Sequence, residues 1–190
     1  DADLGFLSAA DSLFVTADDI LLVDATAGTD IGLTAAGDIQ LGTARAGDDF
    51  TAEAGGAFTG GSVTVSGLGA DNEAISEIPG QPNPLAGSNI AIESAGNLRL
   101  DNGEAPQSIR LTSTGGSILS DGTLRATLLV ADTAANLDLH DVFVIDDLEL
   151  AAANGFVDGN TFESDGDIDV EASGDVTLNA ATAGGSLILT

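Results

Sequence analysis

A short pattern of alternating apolar residues recurs along this chain at a fixed spacing. Its clearest copies are residues 30–41, 88–100 and 166–178. Each copy contains two short alternating strands whose first large apolar residues lie 8 positions apart, and the next apolar anchor follows 11 positions later. These two distances add up to a repeat of about 19 residues, which is typical of solenoids, in which every coil packs only on its neighbours.

Two series of apolar anchors carry this spacing through most of the sequence, at intervals close to the same repeat length. The first series is Leu13, Ile31, Phe50, Leu68, Ile90, Ile109, Leu128, Leu148, Ile168 and Leu187. The second is Ile20, Ile39, Phe58, Ile78, Leu98, Ile118, Leu137, Val157 and Val176. Ten anchors in the first series predict about ten coils, each of about 19–20 residues. They belong to one domain that spans positions 1–190.

The local pattern predicts an all-β chain. Triplets such as Ile-x-Leu place two apolar side chains on one face of a strand, and Gly-Asp and Gly-Gly pairs between them indicate turns. Glycine is expected there because it adopts positive φ without steric cost. Such short strands cannot bury a face alone, so we expect each to pair in parallel with its equivalent one coil later. The prediction is a single-stranded parallel β-helix, right-handed because such crossovers almost always are, and about 45–50 Å long.

One segment departs from the spacing. Residues 77–87 contain three of the four prolines, and proline cannot donate a hydrogen bond to a strand ladder. We therefore expect a proline-rich loop insertion at residues 77–87.

The charge of the chain excludes several classes of partner. Asp and Glu number 31 against 4 Lys and Arg, giving a net charge of −27. This charge argues against binding to nucleic acid or to an anionic membrane surface, and it predicts sensitivity to salt and divalent cations. The apolar fraction of 43% argues against disorder, and no apolar stretch is long enough to insert into a membrane. Cysteine is absent, so the sequence offers no disulfide and no thiolate metal site.

Both ends of the repeat region predict exposed edges. The last strand, Leu187, Ile188 and Leu189, stops in the middle of a coil, and the early apolar run is Leu13, Phe14 and Val15. Because a solenoid needs caps to cover its open edges, we expect either a segment of a longer chain or a subunit whose ends meet a partner. The two runs are the predicted assembly edges.

Acidic residues suggest a cation site, with a simpler interpretation beside it. Asp19 and Asp38 are one repeat length apart, as are Asp30 and Asp49, so each pair is expected to stack at a turn. Stacked carboxylates are suited to Ca²⁺, while aspartate after glycine is also ordinary turn chemistry on an acidic rod. If a cation binds, the first choice is the loop that contains Asp71, Asn72, Glu73 and Glu77. No other cofactor is predicted.

Catalytic signals are weak. Arg99 and Arg110 alternate outward on consecutive strands, where pairing with nearby carboxylates explains them more simply than catalysis. His140 is the single histidine, and a lone histidine is more often a surface residue than a base or a metal ligand. The sequence contains no nucleophile motif and no phosphate-binding motif, so we do not predict an enzyme.

The pattern Gly-Asp-Ile-x-Val-x-Ala-x-Gly-Asp-Val-x-Leu at residues 166–178, followed by residues 180–187, resembles the repeat region of filamentous-haemagglutinin-type bacterial exoproteins. Residues 29–54 are similar to the same repeats. The resemblance implies a right-handed β-helix, export from a Gram-negative bacterium to the cell surface or medium, and a stalk or adhesive role. It transfers no catalytic or binding residue, because the repeat pattern is architectural.

Two function hypotheses follow. The first is an extracellular structural or adhesive rod, either part of an adhesin stalk or a protomer of a head-to-tail fibre. Its partners would be other coils of a longer chain or identical subunits, with a carbohydrate or cell-surface ligand as a further possibility. The alternative is a carbohydrate-active β-helix enzyme, a polysaccharide lyase or hydrolase.

Overall fold

The structure is a computed structural model that describes residues 1–67 and 88–190. It is an all-β parallel solenoid in which each coil contributes one long strand to a first sheet and one short strand to a second. The long strands are β1 Ala2–Ala9, β3 Ile20–Ala27, β5 Ile39–Ala46, β7 Phe58–Val65, β9 Leu98–Glu104, β11 Ile118–Ala126, β13 Leu137–Val144, β15 Val157–Ser164 and β17 Val176–Ala183. The short strands are β2 Leu13–Ala17, β4 Ile31–Ala35, β6 Phe50–Ala54, β8 Asn89–Ser94, β10 Ser108–Ser113, β12 Leu128–Thr133, β14 Leu148–Ala152, β16 Ile168–Ala172 and β18 Leu187–Leu189.

Every strand pairs in parallel with its equivalent one coil away. In the long-strand sheet Ile20 lies opposite Ile39, and in the short-strand sheet Ile31 lies opposite Phe50. The predicted parallel β-helix and its repeat spacing are therefore confirmed. Large apolar side chains from both sheets face inward and form one continuous core along the axis.

Residues 1–67 and 88–190 form nine coils, where about ten were expected for the chain. β6 pairs directly with β8, with Phe50 opposite Ile90. β7 likewise pairs directly with β9, with Phe58 opposite Leu98. The predicted anchors Leu68 and Ile78 lie outside the described residues, as does the predicted loop insertion at residues 77–87.

The anchor chosen in β12 was wrong by one position. Leu129 lies opposite both Ile109 and Leu148, and its side chain is fully buried. Leu128 is only partly buried, because it precedes the first inward position of the strand. Two adjacent leucines made the inward position ambiguous in the sequence.

The long strands bend in the middle, whereas the sequence predicted short straight strands. In β3 the side chains of Ile20 and Leu22 face the core, and so do those of Ala25 and Ala27. The two residues between these pairs, at positions 23 and 24, both lie on the outer side. Two consecutive outward residues break the period of two expected of a straight strand, so each long strand supplies two walls of the coil.

Two inward glycines make room for aromatic rings in the core. A Cβ built on Gly60 would lie 2.8 Å from the Phe58 ring, and one on Gly159 would lie closer still to the Phe162 ring. Both rings are fully buried. The interior is narrow and densely packed, so a large ring in one coil is compensated by a missing side chain beside it.

The turn glycines have a different cause from the one predicted. Among the described glycines, only Gly67 has positive φ, at 71°. A Cβ on Gly55 would instead overlap the carbonyl oxygen of Ala36 in the preceding coil, and one on Gly28 would overlap that of Ala10. Close approach between successive coils therefore selects glycine at these turns.

Candidate functional site

A column of polar side chains runs along the turn that precedes the long strands. Asp19 Oδ1 accepts a hydrogen bond from the backbone N–H of Asp38 at 2.9 Å, and Asp38 Oδ1 accepts one from Ala57 at 2.8 Å. Each carboxylate thus binds the equivalent residue one coil later. At this predicted pair the structure shows turn chemistry that joins successive coils.

The turn that precedes the short strands uses the same device. Asp147 Oδ1 accepts the N–H of Asp167 at 2.9 Å, and Asp167 Oδ1 accepts that of Ser186 at 2.6 Å. A charge-assisted bond from a carboxylate to a backbone N–H is stronger than a neutral one. Both corners therefore carry side chains that hold one coil to the next.

Three carboxylates converge at one point of this second turn, and we call Asp30, Asp48 and Asp49 the acidic cluster. One oxygen from each lies within 4.8 Å of the other two. Asp48 is only 2% exposed, which is unusual for an aspartate. The sequence predicted the stacking of Asp30 on Asp49, but it gave no sign that Asp48 would turn inward beside them.

Hydroxyl and amide groups of the next coil bind the acidic cluster. Ser88 Oγ donates to Asp48 Oδ1 at 2.9 Å, and the backbone N–H of Asn89 donates to Asp49 Oδ1 at 3.0 Å. Ser12 Oγ, from the preceding coil, donates to Asp30 Oδ2 at 3.0 Å. The bonds from Ser88 and Asn89 tie the start of β8 to the turn before β6.

Burial, more than any other factor, raises the pKa of Asp49 to about 6 from its ordinary value of 3.8. The negative charges of Asp48 and Asp30 add to this effect, while hydrogen bonds from Asn89 act in the opposite direction. A hard cation such as Ca²⁺ would relieve this repulsion. Three carboxylate oxygens are fewer than the six to eight ligands that Ca²⁺ takes, so carbonyl groups or water would have to supply the others.

The cation site predicted from the sequence cannot be compared with this geometry. Asp71, Asn72, Glu73 and Glu77 lie outside the described residues.

A second acidic surface surrounds the single histidine, on the outer side of β11, β13 and β15. His140 Nδ1 lies 3.1 Å from Asp141 Oδ2, and a hydrogen bond from Asn160 is the main reason that the pKa of Asp141 is lowered. The pKa of Asp138 is raised, first by burial and then by the charges of Asp158 and other neighbours. His140 is exposed, as expected of a surface histidine.

The two arginines considered for catalysis do not converge. Arg99 lies on β9 in the long-strand sheet and pairs with Asp101 at 2.8 Å and Asp121 at 2.5 Å. Its bond to Asp101 is the main reason that its pKa is raised. Arg110 lies on β10 in the other sheet, beside a shallow hollow lined by Asp132 and other acidic residues. Ion pairing, the simpler interpretation, is what the structure shows for Arg99.

An open groove of about 530 Å³ lies on the outer side of the long-strand sheet, and sequence reasoning missed it. Within it the guanidinium of Arg125 stacks on the Phe143 ring, 4.5 Å from its centre. Glu104 and Pro106 line the same groove. Arg125 lies directly opposite Phe143, one position off the usual spacing, because the register of β11 shifts at a bulge before Thr123.

The predicted assembly edges lie at opposite ends of the short-strand sheet. Leu13, Phe14 and Val15 belong to β2, the first strand of that sheet, and Leu187, Ile188 and Leu189 form β18, its last strand. β1 and β17 occupy the corresponding ends of the long-strand sheet. β1 was not predicted from the sequence, because the series of apolar anchors begins at Leu13.

No family model, curated protein or solved structure matches this chain. Within residues 1–67 and 88–190, no helix is long and apolar enough to cross a membrane.

Proposed function

We propose that the protein is a structural rod, exported to the surface or surroundings of a Gram-negative bacterium. It acts there as part of an adhesin stalk or as a protomer of a fibre, without enzymatic activity. The observation that carries this proposal is the use of turn carboxylates to bind backbone N–H groups of the next coil. Polar side chains that an enzyme would direct into a cleft serve here to join coils.

The dimensions suit such a role. Nine coils at the spacing of paired strands give a rod of about 43 Å. Among the described residues, no buried side-chain nitrogen or oxygen lacks a hydrogen-bond partner. A rod with a satisfied interior and a net charge of −27 stays soluble and resists lateral association.

The placement of the basic residues supports a non-enzymatic role. Arg99 is held between two aspartates, and Arg45 lies 3.5 Å from Asp24. Arg99 and Arg110 lie on different sheets, so they do not form one site for an acidic sugar. No contact among the described residues favours a lyase or a hydrolase.

Surface labelling tests the proposed location and role. Antibodies raised against the chain should label intact producing cells or their extracellular material, and deletion of the gene should reduce attachment or matrix formation. Labelling that appears only after the cells are permeabilised would overturn the proposal. Incubation with acidic and neutral polysaccharides should release no new reducing ends or unsaturated products. Release that is lost in Arg99→Ala would favour the enzyme instead.

A further inference from the structure

The sequence contains two Asn-Gly pairs, one at Asn102 and Gly103 and the other at Asn154 and Gly155. In such a pair the backbone nitrogen of the glycine can attack the side-chain carbon Cγ of the asparagine, because glycine has no Cβ to hinder ring closure and moves easily between backbone conformations. Whether this reaction occurs in a folded protein depends on how firmly both residues are held. The fold holds the two pairs very differently.

The first pair is fixed inside a strand. Gly103 is buried in β9 and pairs with Val63 of β7 on one side and with Leu124 of β11 on the other. Asn102 Oδ1 accepts a hydrogen bond from the N–H of Thr123 at 3.1 Å. Ring closure would require both the side chain and the backbone to rotate, which would break these contacts.

The second pair lies in an exposed turn that is longer than its neighbours. Four residues separate β14 from β15, whereas three separate β12 from β13 and β16 from β17. The hydrogen bonds between coils show which residue is additional. The N–H of Ala153 donates to Thr133 O of the preceding coil, and Gly155 O accepts from the N–H of Gly174 in the following coil. Asn154 lies between these two positions and has no equivalent in the neighbouring coils.

The additional residue removes the N–H of Gly155 from the ladder of bonds between coils. At the equivalent position in the preceding coil the N–H of Ala135 donates to Gly116 O at 3.1 Å, and in the following coil that of Gly174 donates to Gly155 O at 2.9 Å. Within residues 1–67 and 88–190, the N–H of Gly155 makes no such bond to the preceding coil. Its nitrogen is therefore less restrained than its equivalents.

A second four-residue turn, between β10 and β11, shows what the turn after β14 lacks. There the N–H of Gly116 donates to Ser113 Oγ at 3.1 Å. Ser113, Thr133 and Ala152 occupy equivalent positions in successive coils. Since alanine offers no side-chain oxygen, the turn after β14 cannot bind the N–H of its glycine in the same way.

The side chain of Asn154 is held by one hydrogen bond at the surface. Its Nδ2 donates to Ala134 O at 3.1 Å. Asn154 and the residues on either side of the pair, Ala153 and Phe156, are exposed, so water reaches this turn. Opening a single solvent-exposed hydrogen bond costs little free energy and allows the amide to rotate toward the nitrogen of Gly155.

We propose that Asn154 is a site of spontaneous deamidation and that the fold protects Asn102. The nitrogen of Gly155 forms a bond to Asn154 Cγ and loses its proton, while the Cγ–Nδ2 bond breaks and ammonia leaves, which gives a cyclic succinimide. Water then adds to one of the two ring carbonyls and opens the ring, leaving aspartate or isoaspartate. The product carries an additional negative charge and can no longer donate to Ala134 O. Water is the only co-reactant, so the reaction does not depend on the structural role proposed above.

Peptide mass spectrometry of the folded protein, aged at mildly alkaline pH, tests the site. The peptide that contains Asn154 should gain about 1 Da and separate into aspartate and isoaspartate forms, while the peptide that contains Asn102 stays unchanged. In concentrated guanidinium chloride both pairs should deamidate at similar rates, because the protection of Asn102 comes from the fold. An intact Asn154 in the aged protein, or equal rates at the two pairs in the folded chain, would overturn the proposal.

Ala152→Ser tests the cause. It places a hydroxyl where Ser113 and Thr133 already hold one, so its oxygen should accept the N–H of Gly155 and slow deamidation of Asn154 roughly 3- to 10-fold. Ala153→Ser is the matched control, since it adds the same group at an exposed position, and it should leave the rate unchanged. Circular dichroism should show unchanged strand content in both variants. Equal rates in a folded Ala152→Ser chain and the unmodified protein would refute the role given to the N–H of Gly155.

Discussion

Replacing Asp49 by asparagine removes the negative charge of a half-buried side chain in the acidic cluster, and so tests what burying that charge costs the folded state. The asparagine side-chain oxygen can still accept the hydrogen bond that Asp49 Oδ1 receives from the N–H of Asn89, but the negative charge beside Asp48 and Asp30 is gone. The folded-state pKa of about 6 lies above the ordinary value of 3.8, so the folded protein binds this proton more tightly than the unfolded chain does. The contribution of protonated Asp49 to the stability of the folded protein is complete below pH 3.8 and is lost as the pH rises through about 6.

The size of the effect follows from that displacement. A change in pKa from 3.8 to about 6 corresponds to a difference of about 3 kcal/mol in the free energy of unfolding between low and high pH, if screening by solvent is ignored. Because Asp49 is only half-buried, screening reduces this to about 1–2 kcal/mol. Asp49→Asn should therefore raise the free energy of unfolding by about 1–2 kcal/mol at pH 7.5 and by less than that at pH 5.0.

Urea unfolding of both proteins at pH 5.0, 6.0 and 7.5 measures this difference directly. Protonation of the other carboxylates affects both proteins alike, so the difference between their free energies of unfolding reports on Asp49. Asp19→Asn is the matched control, since Asp19 occupies the same kind of turn and binds the N–H of Asp38 but is exposed. A gap that does not change with pH, or a variant less stable than the unmodified protein at pH 7.5, would refute the reasoning.

Three further predictions follow from the register, the turns and the cluster. Leu129→Ala should lower the free energy of unfolding by about 2–5 kcal/mol and Leu128→Ala by less than about 1 kcal/mol, and equal losses in urea titrations would contradict the assigned register. Gly55→Ala should destabilise by about 1–3 kcal/mol because its Cβ would meet the Ala36 carbonyl, which unchanged thermal melting would disprove. Millimolar CaCl₂ should raise the melting temperature more than NaCl of equal ionic strength, and less so in Asp49→Asn; equal effects of the two salts would argue against cation binding at the cluster.

The architecture was accessible from the sequence because the same physical requirement recurs in every coil. Each coil must place apolar residues such as Ile31 and Ile39 on the inner wall, and those positions repeat at one distance. An error arose where one coil offers two equivalent choices, as at Leu128 and Leu129. Periodicity identifies candidate positions, while pairing between coils decides among them.

The sites were harder to predict because they depend on departures from the repeat. Arg125 reaches Phe143 only because a bulge in β11 shifts the register. Asp48 is buried where its turn meets Ser88, whose hydroxyl donates a hydrogen bond to Asp48 Oδ1, and no sequence pattern marks either residue. The turn aspartates themselves were predicted, and their partners, the backbone N–H groups of the next coil, follow from the stacking.

Immunogold electron microscopy of intact producing cells tests most directly whether the protein is an extracellular architectural element. Gold particles should lie on the cell surface or on extracellular material. Particles found only inside sectioned cells would contradict the account.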